Sequence, residues 1–187
     1  MMRKNNSRAN SLIDSTQLEE KAQCIKLLLL DVDGVLTDGQ LHFGADGKEY
    51  KCFNTLDGHG LKMLQRSGVK VGIISGRTSE LVSRRASELG IEILFQGRED
   101  KWTVVQDIAQ KLEIEFHEIA FMGDDYPDLS VISRIGLGMT VANALPVMVQ
   151  YCHWQSHRPG GRGAVREACD LIMQAQGTFD MALAQYL

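Results

Sequence analysis

The stretch Leu27-Leu28-Leu29-Leu30-Asp31-Val32-Asp33-Gly34 decides how the rest of the chain is read. Ile25–Leu30 is an apolar run that ends in acids, the pattern of a strand buried on both faces of a parallel sheet. Outward from it, strand and helix patterns alternate. Gln40–Phe43 and Lys48–Phe53 flank Gly44-Ala45-Asp46-Gly47, a hairpin signal containing Asp-Gly. A helix over Gly58–Arg66 ends at Ser67-Gly68, and Lys70–Ile74 is the next strand. Ser79–Leu89 is a helix stopped by Gly90, a residue suited to a helix C-terminus. Ile91–Phe95, Glu118–Met122 and Leu137–Val141 read as strands, and Lys101–Leu112, Leu129–Ile135 and Gly163–Gln176 as helices. This alternation predicts an α/β fold: a doubly wound, Rossmann-like parallel sheet in three α/β/α layers, with a β-hairpin inserted after the first strand.

The chain has 187 residues, enough for one domain with a real core. Residues 1–24 read as a disordered tail (1–15) followed by a short helix (16–24). Residues 25–177 form the domain, with its hairpin at 40–53, and residues 178–187 form a C-terminal tail. A hydrophobic fraction of 44% and a charged fraction of 24% are those of an ordinary globular protein. The net charge of -4 argues against a nucleic-acid partner, which calls for a basic face. The four cysteines (Cys24, Cys52, Cys152 and Cys169) are widely spaced and read as free buried thiols in a reducing compartment. No apolar stretch near the N-terminus is long enough for a signal peptide or a membrane span, so the expectation is a cytoplasmic chain with no membrane partner.

In doubly wound sheets ligands bind beyond the carboxyl ends of the strands. After the first strand stand Asp31 and Asp33, whose side chains leave extended chain on the same side. They are either a turn or cap, or a functional pair held together by a cation or a proton. After the second come Ser75-Gly76-Arg77, where Gly76 lets backbone N–H groups approach a phosphate at a helix start. After the third comes Lys101, opening a helix against the macrodipole; it is either a solvated lysine offset by Glu99 and Asp100 or a cation kept for an anionic ligand. After the fourth come Gly123-Asp124-Asp125-Tyr126-Pro127-Asp128, an acidic surface turn or a site for a hard cation such as magnesium. His153 and His157 have a helical i, i+4 spacing, but they precede Arg158-Pro159-Gly160-Gly161 and read as a surface loop.

Taken in order, Asp31-Val32-Asp33-Gly34-Val35-Leu36, Ser75, Lys101 and residues 123–128 resemble the four motifs of the HAD phosphatase superfamily. The resemblance implies Asp31 as the nucleophile that becomes an aspartyl phosphate, and Asp33 as the acid that protonates the leaving alcohol and then activates water. It implies Mg²⁺ held by the Asp31 carboxylate, the Asp33 backbone carbonyl and the Asp124 carboxylate, supported by Asp125 and Asp128. Ser75, the Gly76 amide and Lys101 would hold the phosphoryl group.

The intervals Asp31 to Ser75, Ser75 to Lys101 and Lys101 to Asp124 leave no room for a separate cap domain. Asp31–Gly39, Phe53–Gly58 and Gly160–Glu167 resemble one capless branch, the 3-deoxy-D-manno-octulosonate 8-phosphate (KDO 8-phosphate) phosphatases, whose reaction supplies lipopolysaccharide precursors. That likeness runs from about Ile25 to Gly177. It implies a homotetramer assembled through the hairpin, with the tail reaching a neighbouring site. It also implies substrate contacts from Asp33, Asn54, Thr55, Leu56, Asp57, Gly58, Lys62, Gly76, Arg77, Arg85 and Lys101; Arg84 is expected in solvent. Lys62 stands where the branch often has Arg, keeping the charge but losing the bidentate fork. Two other readings stay open: a phosphatase for a related sugar acid phosphate such as a sialic-type 9-phosphate, and a receiver-type phosphoacceptor domain.

Overall fold

The computed structural model describes residues 10–187, so the expected disorder of the first nine residues lies outside the described part. The elements run β1 (Asn10–Ser11), α1 (Ser15–Gln23), β2 (Leu27–Leu30), β3 (His42–Phe43), β4 (Glu49–Tyr50), α2 (Thr55–Arg66), β5 (Lys70–Ile74), α3 (Glu80–Leu89) and β6 (Ile93–Phe95). They continue with α4 (Lys101–Leu112), β7 (Ile119–Met122), α5 (Tyr126–Ile132), β8 (Leu137–Thr140), β9 (Trp154–Gln155), α6 (Ala164–Ala175) and α7 (Phe179–Ala184). The main sheet has the order β1-β9-β8-β7-β2-β5-β6, parallel throughout except for β1 on its edge. β3 and β4 pair separately as the hairpin, and nothing larger is inserted between β2 and α2.

The leucine run occupies the centre of this sheet, between β5 and β7, and all four leucines are fully buried. Successive side chains of a strand leave on opposite faces. Leu28 and Leu30 accordingly pack with α1, α2, α3 and α6 on one side, while Leu27 and Leu29 pack with α4 and α5 on the other. An unbroken run of leucines is what two covered faces require.

Several boundaries differ from expectation, each for a local reason. Asn10–Ser11, within the stretch expected to be disordered, pairs with Trp154–Gln155. The segment around His153 is likewise part of the sheet rather than a loop: His153 Nδ1 accepts a hydrogen bond from Gly138 N at 2.9 Å, and Trp154 is buried. α2 begins at Thr55 rather than Gly58, because Asn54 is its N-cap and accepts from Leu56 N at 2.8 Å. α5 begins at Tyr126 rather than Leu129, because Asp125 and Asp128 form a capping box with Pro127 in the first turn. The tail contains a helix, α7, and the Tyr186 ring meets His59 edge-on at 5.2 Å. The cysteines are free, as expected, but only Cys152 and Cys169 are buried. No helix among the described residues is long and apolar enough to cross a membrane.

The loop before α6 is locked to the rest of the fold. Gly160 lies so close to the chain after β2 that an added Cβ would meet Gly34 O at 1.7 Å. Gly163, the N-cap of α6, has no side chain to receive the first helical amides. Asp57 of α2 takes that role from another element, its carboxylate accepting from Gly163 N at 3.2 Å and from Arg166 N at 2.8 Å. An anion at a helix N-terminus also meets the positive end of the macrodipole. Replacing Asp57 by Ala leaves buried amides without acceptors, and is expected to lower the unfolding free energy by about 2–3 kcal/mol. Urea titration checks this against Thr55→Ala, an exposed change expected to stay within about 0.5 kcal/mol.

Candidate functional site

Parallel strands present their carboxyl ends at one edge, so the residues after β2, β5, β6 and β7 converge there. Asp31 directly follows β2 in extended conformation, tied to β7 by its N–H to Met122 O at 3.0 Å. The chain then turns tightly through Val32–Leu36, with Gly34 at φ +94°. That glycine is required twice over: few side chains tolerate the left-handed φ, and an added Cβ would sit 2.0 Å from Asp124 Oδ2.

Lys101, the first residue of α4, is 2% exposed rather than solvated. Its Nζ lies 2.6 Å from Asp128 Oδ1 and 2.9 Å from Asp31 Oδ1, joining the ends of β2 and β7. Burial works to lower its pKa, but Asp128 and Asp31 outweigh that and hold it above the usual lysine value. Asp31, Asp124 and Asp128 each offer a carboxylate oxygen, all within 4.8 Å of one another. Burial and the repulsion of Asp128 raise the Asp31 pKa to about 6, against the opposing pull of Lys101. Burial, followed by repulsion from Asp128, Asp31 and Asp125, raises that of Asp124 to about 7.

This arrangement fits a divalent cation. Three carboxylates against one ammonium leave an excess of two negative charges in a confined space. Asp124 Oδ1 is buried with no hydrogen-bond partner among the described residues, as an oxygen reserved for a metal would be. Asp128 is already committed: Oδ1 to Lys101, and Oδ2 to the N–H groups of Asp124 at 2.9 Å and Asp125 at 3.3 Å. It supports the cluster, while Asp31 and Asp124 have oxygens to offer. Asp125 is exposed and accepts from Tyr126 N at 2.7 Å, which gives it a helix-capping role.

Ser75 is buried at the end of β5, and its Oγ accepts from Arg77 N at 3.2 Å. Gly76 beside it is exposed, and no protein atom lies within 4 Å of an added Cβ. Beyond Asp33, Gly76 and Lys101, the residues expected to touch substrate divide into two groups. Thr55, Leu56, Lys62 and Arg77 are solvent-exposed or nearly so, with the Arg77 side chain 45% exposed. The others hold the start of α2 in place. Asn54 Nδ2 donates to Gly161 O at 3.2 Å, and Asp57 is buried against α6. Arg85 donates to Asn54 O at 3.3 Å and packs against Phe53 and over Gly58. Arg84 is in solvent, paired with Glu88.

Sequence reasoning missed Lys51 and Glu49. Lys51 follows β4, its side chain is 2% exposed, and its ammonium is paired with Asp33. Glu49 Oε1 accepts from Arg77 Nη2 at 2.9 Å. Spacing shows only that residues 49 and 51 share one face of the hairpin strand, opposite the exposed Tyr50, and not what that face meets.

The haloacid dehalogenase-like hydrolase profile matches residues 91–163. The 3-deoxy-D-manno-octulosonate 8-phosphate phosphatase of Salmonella typhi is 44% identical over 171 residues, 91% of each chain. A probable phosphatase of Pseudomonas syringae is 52% identical and superposes with a TM-score of 0.90, covering 92% of this chain and 98% of that one. The Moraxella catarrhalis 3-deoxy-D-manno-octulosonate 8-phosphate phosphatase, solved with a magnesium ion, a phosphate ion and KDO, is 41% identical. It superposes with a TM-score of 0.91 over 93% of this chain and 100% of that one. With identity and fold shared over nearly the whole length, the chain belongs to the 3-deoxy-D-manno-octulosonate 8-phosphate phosphatases, within the haloacid dehalogenase-like hydrolases.

Proposed function

We propose that this chain is a Mg²⁺-dependent phosphomonoesterase that hydrolyses KDO 8-phosphate to KDO and phosphate, a step towards lipopolysaccharide. The observation that carries this reading is the joining of Asp31, Asp124, Asp128 and Lys101 at one edge of the sheet. The Asp31 and Asp124 carboxylates and the Asp33 backbone carbonyl are the groups proposed to hold Mg²⁺, with Asp128 and Asp125 keeping the Asp124 loop in place. Bound there, the ion supplies the positive charge that lets an anionic nucleophile approach an anionic phosphate.

The chain's own residues do the rest. Asp31 forms a bond to phosphorus while the bond from phosphorus to the ester oxygen breaks, and Asp33 gives its proton to the departing oxygen. Asp33 then takes a proton from water as the water oxygen attacks phosphorus, and the bond to Asp31 breaks to release phosphate. Lys101, the Ser75 hydroxyl and the Gly76 amide hold the phosphoryl oxygens. Arg77, Lys62, Thr55 and Leu56 form the exposed rim that receives the sugar acid. Asn54, Asp57, Gly58 and Arg85 complete that rim largely by fixing its shape.

The site has no cap, and the hairpin beside it carries Leu41, Phe43 and Tyr50 at 45%, 65% and 55% exposure. Apolar residues gathered on one small element support assembly of copies through the hairpin. A homotetramer, with each C-terminal tail beside a neighbour's site, is the proposed form. The free cysteines accord with a cytoplasmic setting.

Asp31→Asn removes the nucleophile and is expected to lower phosphate release from KDO 8-phosphate more than about a thousandfold with the fold retained. Appreciable turnover by that variant would remove Asp31 from its role. The acid cluster also sets a pH dependence. The unfolded chain releases the Asp31 and Asp124 protons near 3.8, and the folded chain only near 6 and 7. Metal-free protein therefore loses stability as pH rises from about 4 to about 8. Saturating Mg²⁺ should cancel that fall, because the bound ion requires both groups ionised. Melting temperatures of wild type and Asp124→Asn across this range, with and without Mg²⁺, check both statements; equal slopes in the two proteins would count against them. Light scattering behind a sizing column tests the assembly, where Phe43→Glu is expected to yield a smaller species.

A further inference from the structure

We propose that Lys51 is a positioning residue for this reaction: its buried ammonium, delivered by the β3–β4 hairpin, holds the Asp33 carboxyl group where proton transfer needs it. The inference rests on the reading of Asp33 as general acid and base.

Lysine side chains normally keep their charge in water, and an ammonium out of solvent needs anionic partners. That of Lys51 is 2% exposed and has two: the Asp33 carboxylate and, at 3.6 Å, Glu49 Oε1. Glu49 in turn accepts from Arg77 Nη2 at 2.9 Å and from the Ser79 hydroxyl at 3.2 Å. Arg77 Nε closes the circuit 3.7 Å from Asp33 Oδ2. Four charges thus alternate in sign around a ring. The ring joins the turn after β2, the hairpin, and the loop between β5 and α3.

Its centre is Asp33. Lys51 engages Oδ1. Oδ2 is 3.7 Å from Arg77 Nε, beyond hydrogen-bond distance, and is therefore the oxygen left to exchange a proton with the departing alcohol and then with water. Asp33 lies in a stretch of non-helical backbone, with its side chain 21% exposed. A carboxyl group there has rotamer freedom that a fixed cation removes. Lys51 does not duplicate Lys101, which is bound to Asp31 and Asp128 and serves the nucleophile.

A hairpin clamp with no part in the chemistry would slow every substrate alike. A device that positions the general acid matters most where the leaving group needs a proton. The test is the single-turnover rate of phosphoryl transfer from KDO 8-phosphate, a poor alkoxide leaving group, and from p-nitrophenyl phosphate, whose phenolate departs unprotonated. Wild type, Lys51→Met and Lys51→Arg are compared with Mg²⁺ saturating and their melting temperatures measured. Lys51→Met is expected to slow the alkyl ester about 100-fold and the aryl ester less than about 10-fold. Lys51→Arg keeps the charge but shifts the donor, so it should show a smaller loss, again confined to the alkyl ester. If Lys51→Met does not fold, the alkyl-to-aryl ratio of Lys51→Arg decides instead. Equal losses on the two esters, or no loss, in a folded variant would overturn the proposal while leaving the phosphatase reading intact. A wild type that hydrolyses neither ester would overturn that reading and this inference with it.

Discussion

The contact on which the site depends is the buried ammonium of Lys101 between Asp31 and Asp128. A lysine opening a helix opposes the macrodipole, and its removal from water is costly. Both penalties are offset because β2 and β7 are adjacent parallel strands, so the acids that follow them end at the same edge. Lys101 neutralises one of three clustered carboxylates and leaves an excess that a divalent cation would remove. Burial, followed by repulsion among these acids, raises the pKa values of Asp31 and Asp124.

Holding such a cluster open requires the surrounding backbone to be fixed, and glycines with buried polar side chains do that. Gly34 lets the turn after β2 lie against Asp124, and Gly160 lets the loop before α6 lie against that turn. Asp57 and Asn54 at the start of α2 bind this second loop through backbone atoms. The chain after β2 is therefore pressed from one side by Asp124 and from the other by the loop before α6. Asn54 and Asp57, which resemble substrate contacts by position, are thus committed in this chain to holding α2 against the loop before α6. The start of α2 and the turn after Asp31 are set by the same contacts.

Much of this was legible in the sequence, and the parts that were not share a cause. The leucine run identified the central strand because two covered faces leave no polar alternation, and the order of acids, serine and lysine survived intact in space. The starts of α2 and α5 were misplaced where polar residues were read only as ligands. Asn54 and Asp125 are caps, and Asp128 is both a cap and a partner of Lys101. β1, β9 and α7 were missed because elements of two to six residues have too few positions to show a period. Lys51 was missed because its meaning is tertiary: nothing local shows that a hairpin lysine meets an aspartate eighteen residues earlier.

That lysine changes how the hairpin should be understood. A strand has two faces, and β4 uses both: Glu49 and the adjoining Lys51 turn towards Asp33 and Arg77, while Tyr50 between them faces the other way with its cross-strand partner His42 and stays in solvent. Two strands of two residues each are marginal in isolation, and the ring of charges ties this hairpin to the domain. The coupling works in both directions. A carboxyl group held by a hairpin is only as well placed as the hairpin is rigid, and a second copy packed on the exposed side chains of Leu41, Phe43 and Tyr50 would stiffen it. In a phosphatase without a cap, the element that joins subunits and the element that orients the acid would then be one and the same. Assembly through this hairpin would place the Asp33 carboxyl more firmly in each subunit's site.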